Sequence, residues 1–544
     1  MPRRVWRRPL AATAWMLAAL AALAAVAGAL VGSTAAAQRP AVGSTASAQR
    51  PAVGSTAAAQ HPAGARLPGQ ATPAVRPPQS GRRPNIVFVL TDDLSSDLVR
   101  FMPHVRALAA HGTSFSNYFV SDSLCCPSRA SIFTGNFPHD TGVFTNVGSD
   151  GGFSVFHARG EESRSFNVAL QKSGYQTAMM GKYLNGYLDG RARTGVANSY
   201  VPPGWNEWDV AGFGYPEYDY PLNENGVVHH FGHRPRAYLT DVLARRGTAF
   251  VDRATASGQP FFLELATFAP HAPYTPARRD AHGFPGLTAP QPPNFDALPA
   301  SAPRWLVNHP PLSARKIKRI NRAFRRRVQS VQAVDDMIGR IEAELAATGQ
   351  SRNTYFVFSS DNGYHMGEYR LLPGKLTAFN TDIQVPLVVA GPGVPAHSRT
   401  PAVTQNIDLA ATFAAMGGTT LSGDGHSLLP LLTGQTAQGW RNAALVEHHG
   451  PDSSPNDPDR QTGLSGNPTT YEALRTPDYL YVEYRDGERE FYDLGTDPFE
   501  LHNTIASLTL PQLGQLHTEL AQLEGCHTAT ECWVASHVPP LGGP

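Results

Sequence analysis

The chain has 544 residues, 41% of them hydrophobic, which at ~150 residues per domain is room for several units and a large core. Its 45 basic and 44 acidic residues leave a net charge of +1, which excludes an overall cationic field for nucleic acid. Four cysteines are too few for a disulfide scaffold of this size, and 50 glycines and 46 prolines exclude a coiled coil.

The amino terminus carries Arg3, Arg4, Arg7 and Arg8, then an uncharged apolar run over residues 10–31, then Ala35-Ala36-Ala37. Residues 1–37 read as a signal peptide, with an uncleaved membrane anchor as the alternative, because the run reaches the ~20 residues that span a bilayer. Membrane contact is expected only in the anchored case. Secretion, or at least an extracytoplasmic location, follows from either reading. Residues 38–82 contain part of a repeat of period 11 that begins at Gly32, Gly43 and Gly54. The segment 32–84 has no acid, no isoleucine and no aromatic residue. Such a composition cannot bury enough apolar surface to offset its ordering entropy, so 38–82 reads as a disordered linker.

The globular part opens on Asn85-Ile86-Val87-Phe88-Val89-Leu90, a short β-branched apolar run suited to a strand buried on both faces. Thr91-Asp92-Asp93 follows it. Phe261-Phe262-Leu263-Glu264-Leu265-Ala266 is a second such run, followed by Pro270-His271-Ala272-Pro273. Asn353-Thr354-Tyr355-Phe356-Val357-Phe358 is a third, followed by Asp361-Asn362-Gly363. Ligands of open α/β sheets sit beyond the carboxyl ends of the strands, so these polar residues are expected to converge. Val331, Val334, Ile338, Ile341 and Leu345 predict a helix. Just before it, Arg315-Lys316-Ile317-Lys318-Arg319 and Arg325-Arg326-Arg327 read as a solvated helix face, with binding of an anionic polymer as the alternative.

Leu124-Cys125-Cys126-Pro127-Ser128-Arg129-Ala130-Ser131 is expected in a Ser/Pro-rich loop that continues into a helix through Ile132-Phe133-Thr134. Read alone, adjacent cysteines in an exported chain leave a strained disulfide, a metal ligand or a reactive thiol all open. The spacing Cys125-x-Pro127-Ser128-Arg129, with Thr134-Gly135 beyond, resembles the signature of the type I sulfatases, within the alkaline-phosphatase-like superfamily. Thr91-Asp92-Asp93, Gly181-Lys182, Pro270-His271-Ala272-Pro273, Asp361-Asn362-Gly363, His365-Met366-Gly367 and Gly374-Lys375 resemble the further blocks of that family, in its order. So do Asp408-Leu409-Ala410-Ala411-Thr412 and Tyr492-Asp493-Leu494-Gly495-Thr496-Asp497-Pro498.

The resemblance implies an α/β fold. A large domain over 83–435, with a central mixed, mostly parallel sheet flanked by helices, precedes a smaller α+β subdomain over 436–544. It implies hydrolysis of sulfate monoesters, with Cys125 converted to formylglycine by a separate maturation enzyme. One hydroxyl of the hydrated aldehyde attacks sulfur, and the other expels sulfate from the covalent intermediate. Asp92, Asp93, Asp361 and Asn362, with Cys125, are implied to hold one divalent cation, Ca²⁺ with Mg²⁺ as the alternative, through hard oxygen donors. Arg129 is implied to orient the nucleophile, Lys182 and Lys375 to neutralise sulfate, His271 to protonate the leaving group, and His365 to assist.

Two departures stand out: Leu184 replaces a histidine common after the Gly-Lys block, with Asn185 beside it, and Phe379-Asn380 replaces a common Tyr-Glu. The Cys125-Cys126 pair, Gly181-Lys182-Tyr183-Leu184-Asn185 and Tyr364-His365 resemble the N-acetylglucosamine-6-sulfatase branch. The expected partner is therefore a sulfated sugar or sulfated glycan, not nucleic acid. Aryl sulfates, phosphate or phosphonate monoesters, or sugar binding on an inactive scaffold are the rival readings. Trp205, Trp208, Tyr215, Tyr218 and Tyr220 are candidates for stacking on a sugar or an aryl group, with ordinary packing as the alternative. Cys526 and Cys532 are expected to form a local disulfide in an oxidising compartment.

Overall fold

The computed structural model describes residues 81–188, 195–455, 457 and 459–542. The signal or anchor reading of 1–37, and all but the end of the linker reading of 38–82, lie outside the described residues. No helix among the described residues is long and apolar enough to cross a membrane.

Ten strands form the main sheet: β1 (Asn85–Thr91), β2 (Thr113–Phe119), β3 (Gln176–Lys182), β4 (Glu207–Ala211), β5 (Tyr220–Glu224), β6 (Val227–Phe231), β7 (Phe261–Ala266), β8 (Thr354–Ser360), β9 (Leu387–Ala390) and β10 (Ser398–Gln405). Their order is β10-β2-β9-β8-β1-β7-β3-β4-β5-β6. The centre, β8-β1-β7-β3-β4, is parallel throughout, while β9, β5 and β6 pair antiparallel. Both faces of β1 are covered, as its unbroken apolar run requires. Ile86, Phe88 and Leu90 enter one core, and Val87 and Val89 the other.

The helix anticipated around Val331 to Leu345 is much longer, running Ala314–Ala347. Ser313 caps it by accepting from Lys316 N, and Ile320, Phe324 and Val328 extend its buried stripe through the basic cluster. It packs along β1 in the opposite sense to the strand. Asn85, at the start of β1, donates to Gln350 just past the helix end, whereas Arg327, far upstream, donates to Asp93 O beyond the other end of β1.

A second, antiparallel sheet follows: β11 (Ala444–His448), β12 (Tyr471–Arg475), β13 (Tyr479–Tyr484) and β14 (Arg489–Asp493). Ala444, Val446, Ala473 and Val482 face the larger core. Leu445, Leu474 and Tyr481 instead meet Leu516, Leu520 and Leu523 of the helix Leu510–Glu524. The Cys526–Cys532 disulfide is formed.

The aromatic segment differs from the stacking expectation. Trp208 and Tyr220 are fully buried. Trp208 donates to Tyr187 at 2.7 Å and Tyr220 stacks on Phe231, so these rings secure the β4–β6 edge. Sequence fixes how many aromatics a segment holds, but strand alternation sets which way each points.

Candidate active site

Register brings the chemistry together. In the parallel sheet Thr91 lies opposite Ser360, Leu90 opposite Ala266, and Gly181 opposite Ala266. The residues that follow these positions, Asp92 and Asp93, Asp361 and Asn362, Lys182, and the loop to His271, therefore leave the sheet at one edge. Gly181 is required for this approach: its φ is +106° and a Cβ there would meet Ala266 O at 1.9 Å.

Cys125 was expected in a loop but begins the helix Cys125–Thr134, which ends at Gly135 in the left-handed region with φ +78°. The helix N-terminus directs its positive potential toward the edge where the strands end. Cys126 turns into the apolar core.

Around Cys125 the groups are buried and in contact. Cys125 Sγ donates to Asp92 Oδ1 at 3.0 Å and accepts from Lys375 Nζ at 2.8 Å. Lys182 Nζ donates to Asp92 Oδ2 at 2.6 Å, and Lys375 Nζ to Asp93 Oδ1 at 2.7 Å. Arg129 Nε donates to Asp361 Oδ2 at 2.8 Å and its Nη1 to Lys182 O at 2.9 Å. Such charges are tolerated inside a protein only because they are paired. Arg129, Lys182 and Lys375 hold Asp361 below the usual carboxylate range against the opposing effect of burial. Burial, reinforced by Asp361, Asp459 and Asp92, pushes the Cys125 thiol well up, so the site keeps it neutral.

His271 Nδ1 faces Ala272 O at 2.6 Å, and its Nε2 meets Asp459 and lies 3.6 Å from Asp93. Burial disfavours its protonation, but Asp459, Asp93 and Asp92 outweigh burial and push it up to about 9. Both ring nitrogens thus act as donors.

Asp459 and Asn146 were not recognised from the sequence. Asp459 comes from the segment between β11 and β12, touches His271, lies 3.5 Å from Lys375 Nζ, and accepts from Asn146 Nδ2 at 2.9 Å. Asn146 Oδ1 in turn accepts from Cys126 N at 2.9 Å. Both lie in polar loop sequence that reads only as turn-forming. Asn185 Nδ2 reaches Asp459 at 3.5 Å and Tyr215 Oη at 3.1 Å, so it does bring a hydrogen-bonding group near the centre, while Leu184 is buried in the core. Tyr215 is the member of the aromatic segment that lies at the site, 4.5 Å from the His271 ring and 5.0 Å from Lys182 Nζ.

His365 is placed differently. Its Nδ1 is 3.0 Å from both Asp382 carboxylate oxygens, and its Nε2 is 3.1 Å from Ser465 O. It bridges to Gly374 and so holds the loop that delivers Lys375. Phe379 stacks on Tyr369 at 3.8 Å, a packing role away from Cys125.

The donor set fits a divalent cation. Ligand atoms of Asp92, Asp93 and Cys125 lie within 4.8 Å of one another, with a nitrogen of the protonated His271 ring at the same range as a proton donor rather than a ligand. Asn362 Nδ2 is committed to Asp93 and Gly363, but its Oδ1 is buried with no hydrogen-bond partner among the described residues. A buried oxygen without a partner is costly, and on a side chain hydrogen-bonded to the Asp93 carboxylate it suits a hard cation.

A helix N-terminus, paired lysines and a cluster of carboxylates at the carboxyl edge of a parallel sheet define a hydrolase centre for an anionic ester. Comparison with known proteins agrees. The Sulfatase family profile matches residues 84–419, and that of the N-sulphoglucosamine sulphohydrolase C-terminal region matches 367–525. N-acetylglucosamine-6-sulfatase of Homo sapiens is 35% identical over 478 residues, covering 82% of this chain and 86% of that protein. The extracellular sulfatase SULF-1 homolog of Drosophila melanogaster is 35% identical over 382 residues, 68% of this chain but 33% of that protein. A solved structure of a protein bound to its substrate D-glucosamine-2-N,6-O-disulfate shares the fold, with TM-score 0.67 and 23% identity over 81% of this chain and 98% of that one. The chain belongs to the sulfatase family. It is a sulfuric ester hydrolase.

Proposed function

We propose that this sulfatase removes sulfate from a sulfated amino sugar, through Cys125 converted to formylglycine and one divalent cation, Ca²⁺ in preference to Mg²⁺. The observation that carries the reading is Cys125 at a buried helix N-terminus, between Asp92 and Lys375, with Lys375 also on the Asp93 carboxylate to which Asn362, its Oδ1 unpartnered, donates. The amino-sugar choice is supported by the named substrates of the human relative and of the solved structure.

Asp92, Asp93, Asp361 and Asn362 hold the cation. When bound, it neutralises a sulfate oxygen, and formylglycine supplies a hydroxyl nucleophile where the thiol stood. Arg129 fixes Asp361 and, through Lys182 O, the end of β3. Lys182 and Lys375 carry their protons despite burial and offset charge on the sulfate oxygens. His271 keeps a proton at Nε2 for the leaving oxygen. His365 acts through the Lys375 loop. The helix dipole at Cys125 favours negative charge there.

A separate maturation enzyme modifies Cys125. The chain is exported, either cleaved after its 1–37 segment or anchored by it, with 38–82 as a linker, 83–435 as the catalytic domain and 436–544 as its carboxyl-terminal subdomain. The Cys526–Cys532 disulfide and the extracellular fly relative support export. The test is kcat/KM across N-acetylglucosamine-6-sulfate, an aryl sulfate and a phosphonate monoester, with protein matured in its native host. The sugar sulfate is expected to lead. A higher value for the phosphonate would reassign the reaction.

A further inference from the structure

The long helix Ala314–Ala347 does more than cover the sheet. Arg327 marks where it passes the end of β1, because its Nη2 donates to Asp93 O at 2.6 Å and its guanidinium lies 4.3 Å from the Tyr364 ring. The helix runs opposite to β1, so the residues before Arg327 continue past the sheet on the active-site edge. At ~1.5 Å per residue, the stretch from Ala314 to Phe324 and on to Arg327 projects roughly 20 Å beyond Asp93. The connection that carries His271 braces it: Ala289 N donates to Asn321, and Arg325 donates to Leu287 O.

The projecting part is cationic on its outer side. Arg315, Arg319, Arg322 and Arg326 are exposed and spaced four, three and four residues apart, which puts them on one helical stripe opposite the buried Ile320 and Phe324. Exposed Lys318 flanks them. None of these five side chains has an ion pair with any described residue, in contrast to Arg279 and Arg304, which are paired with acids. From His271 to Ser330 there are eleven Lys and Arg residues against two Asp and no Glu, in a chain whose net charge is +1. Like charges four residues apart destabilise a helix, so this stripe weakens its own element unless an anion meets it.

We propose that Arg315, Lys318, Arg319, Arg322 and Arg326 form a docking surface for a sulfated polysaccharide chain whose end is desulfated at the Cys125 centre. Charge complementarity selects the occupant, and the helix places the stripe along the approach to the site. The proposal deepens the reading of the centre as a sugar sulfatase and rests on it for the catalytic half of its test.

The test compares wild type with Arg315→Gln/Arg319→Gln/Arg322→Gln/Arg326→Gln, both matured at Cys125. Turnover of N-acetylglucosamine-6-sulfate is expected to agree within about two-fold, because small substrate does not reach the stripe. On a size-defined heparin octasaccharide, kcat/KM is expected to fall about ten-fold or more through KM, with a smaller salt dependence, as released counterions diminish. Thermal stability is expected to be unchanged or raised, since repulsion is removed. Direct titration of the octasaccharide into Cys125→Ala protein, with and without the four substitutions, reads binding without turnover. Loss of binding in the substituted protein supports the surface even if no sulfate ester is turned over, which would sink only the reaction. Equal octasaccharide binding, or equal kcat/KM on the octasaccharide, overturns the proposal. So does equally tight binding of duplex DNA or of anionic lipid vesicles, which would make the stripe a general polyanion surface.

Discussion

The active centre is built from two kinds of part. Asp92, Asp93, Lys182, Asp361 and Asn362 stand at the ends of β1, β3 and β8, where parallel register leaves their backbone little choice. Lys375 and Asp459 arrive on long loops, one held by His365 and the other by Asn146. Strand-end groups are fixed by the same hydrogen bonds that make the sheet, so they suit a task that tolerates little displacement, such as holding a cation and the nucleophile. Loop-borne groups can change without disturbing the sheet, so they suit substrate choice. The centre thus divides into a rigidly placed floor and an adjustable wall.

That division is open to attack by substitution. The largest expected effect is at the floor: Asp361→Asn removes a carboxylate from the proposed cation set and the partner of Arg129 Nε, and kcat is expected to fall about 10³-fold or more with bound metal content reduced. Metal analysis beside steady-state kinetics checks this. Lys182→Ala, on the floor, is expected to lower kcat about 10²–10³-fold, and Lys375→Ala, on the wall, only about ten-fold. An equal effect at the two lysines would mean that Lys375 belongs with the floor despite its loop. Asp459→Asn is expected to change KM by about ten-fold and, because Asp459 helps hold the His271 proton, to move the high-pH fall of kcat to lower pH while leaving kcat at low pH much less affected; the ratio of the KM change to the low-pH kcat change separates wall from floor. A kcat loss as large as that of Asp361→Asn would erase the distinction.

The smallest effect concerns the joint between the two sheets. His139 meets Glu447 of β11 at 2.9 Å and Cys526 O at 2.8 Å. Burial opposes its charge, yet Glu447 raises it from 6.5 to about 9. A raised folded value stabilises fully below 6.5 and is lost as pH rises through 9, a contribution on the order of 3 kcal/mol. The melting temperature of wild type is therefore expected to fall between pH 6.5 and 9 more steeply than that of His139→Gln.

Much of the floor was readable in the sequence. Three unbroken apolar runs mark β1, β7 and β8, and in a parallel sheet the polar residues after such runs must share one edge. Cys125-x-Pro127-Ser128-Arg129 added the proposed reacting position, which the structure places among these residues. The wall was not readable in the same way. Asp459 and Asn146 lie in loops whose Asn, Asp and Pro residues signal only turns, and no local pattern says which loop reaches the centre. Trp208 and Tyr220 show the converse: ring content suggested a sugar platform, but strand alternation turned both inward. The first half of the long helix was obscured because its charges outnumber its apolar residues, although Ile317, Ile320, Phe324 and Val328 keep the helical period.

The most direct test of the central claim is mass spectrometry of the peptide containing Cys125, from protein exported by its native host and active on a sulfate ester. The account predicts that the thiol mass is replaced by that of the aldehyde or its hydrate, and that the peptide reacts with a hydrazide. An unmodified Cys125 thiol throughout active material would contradict it.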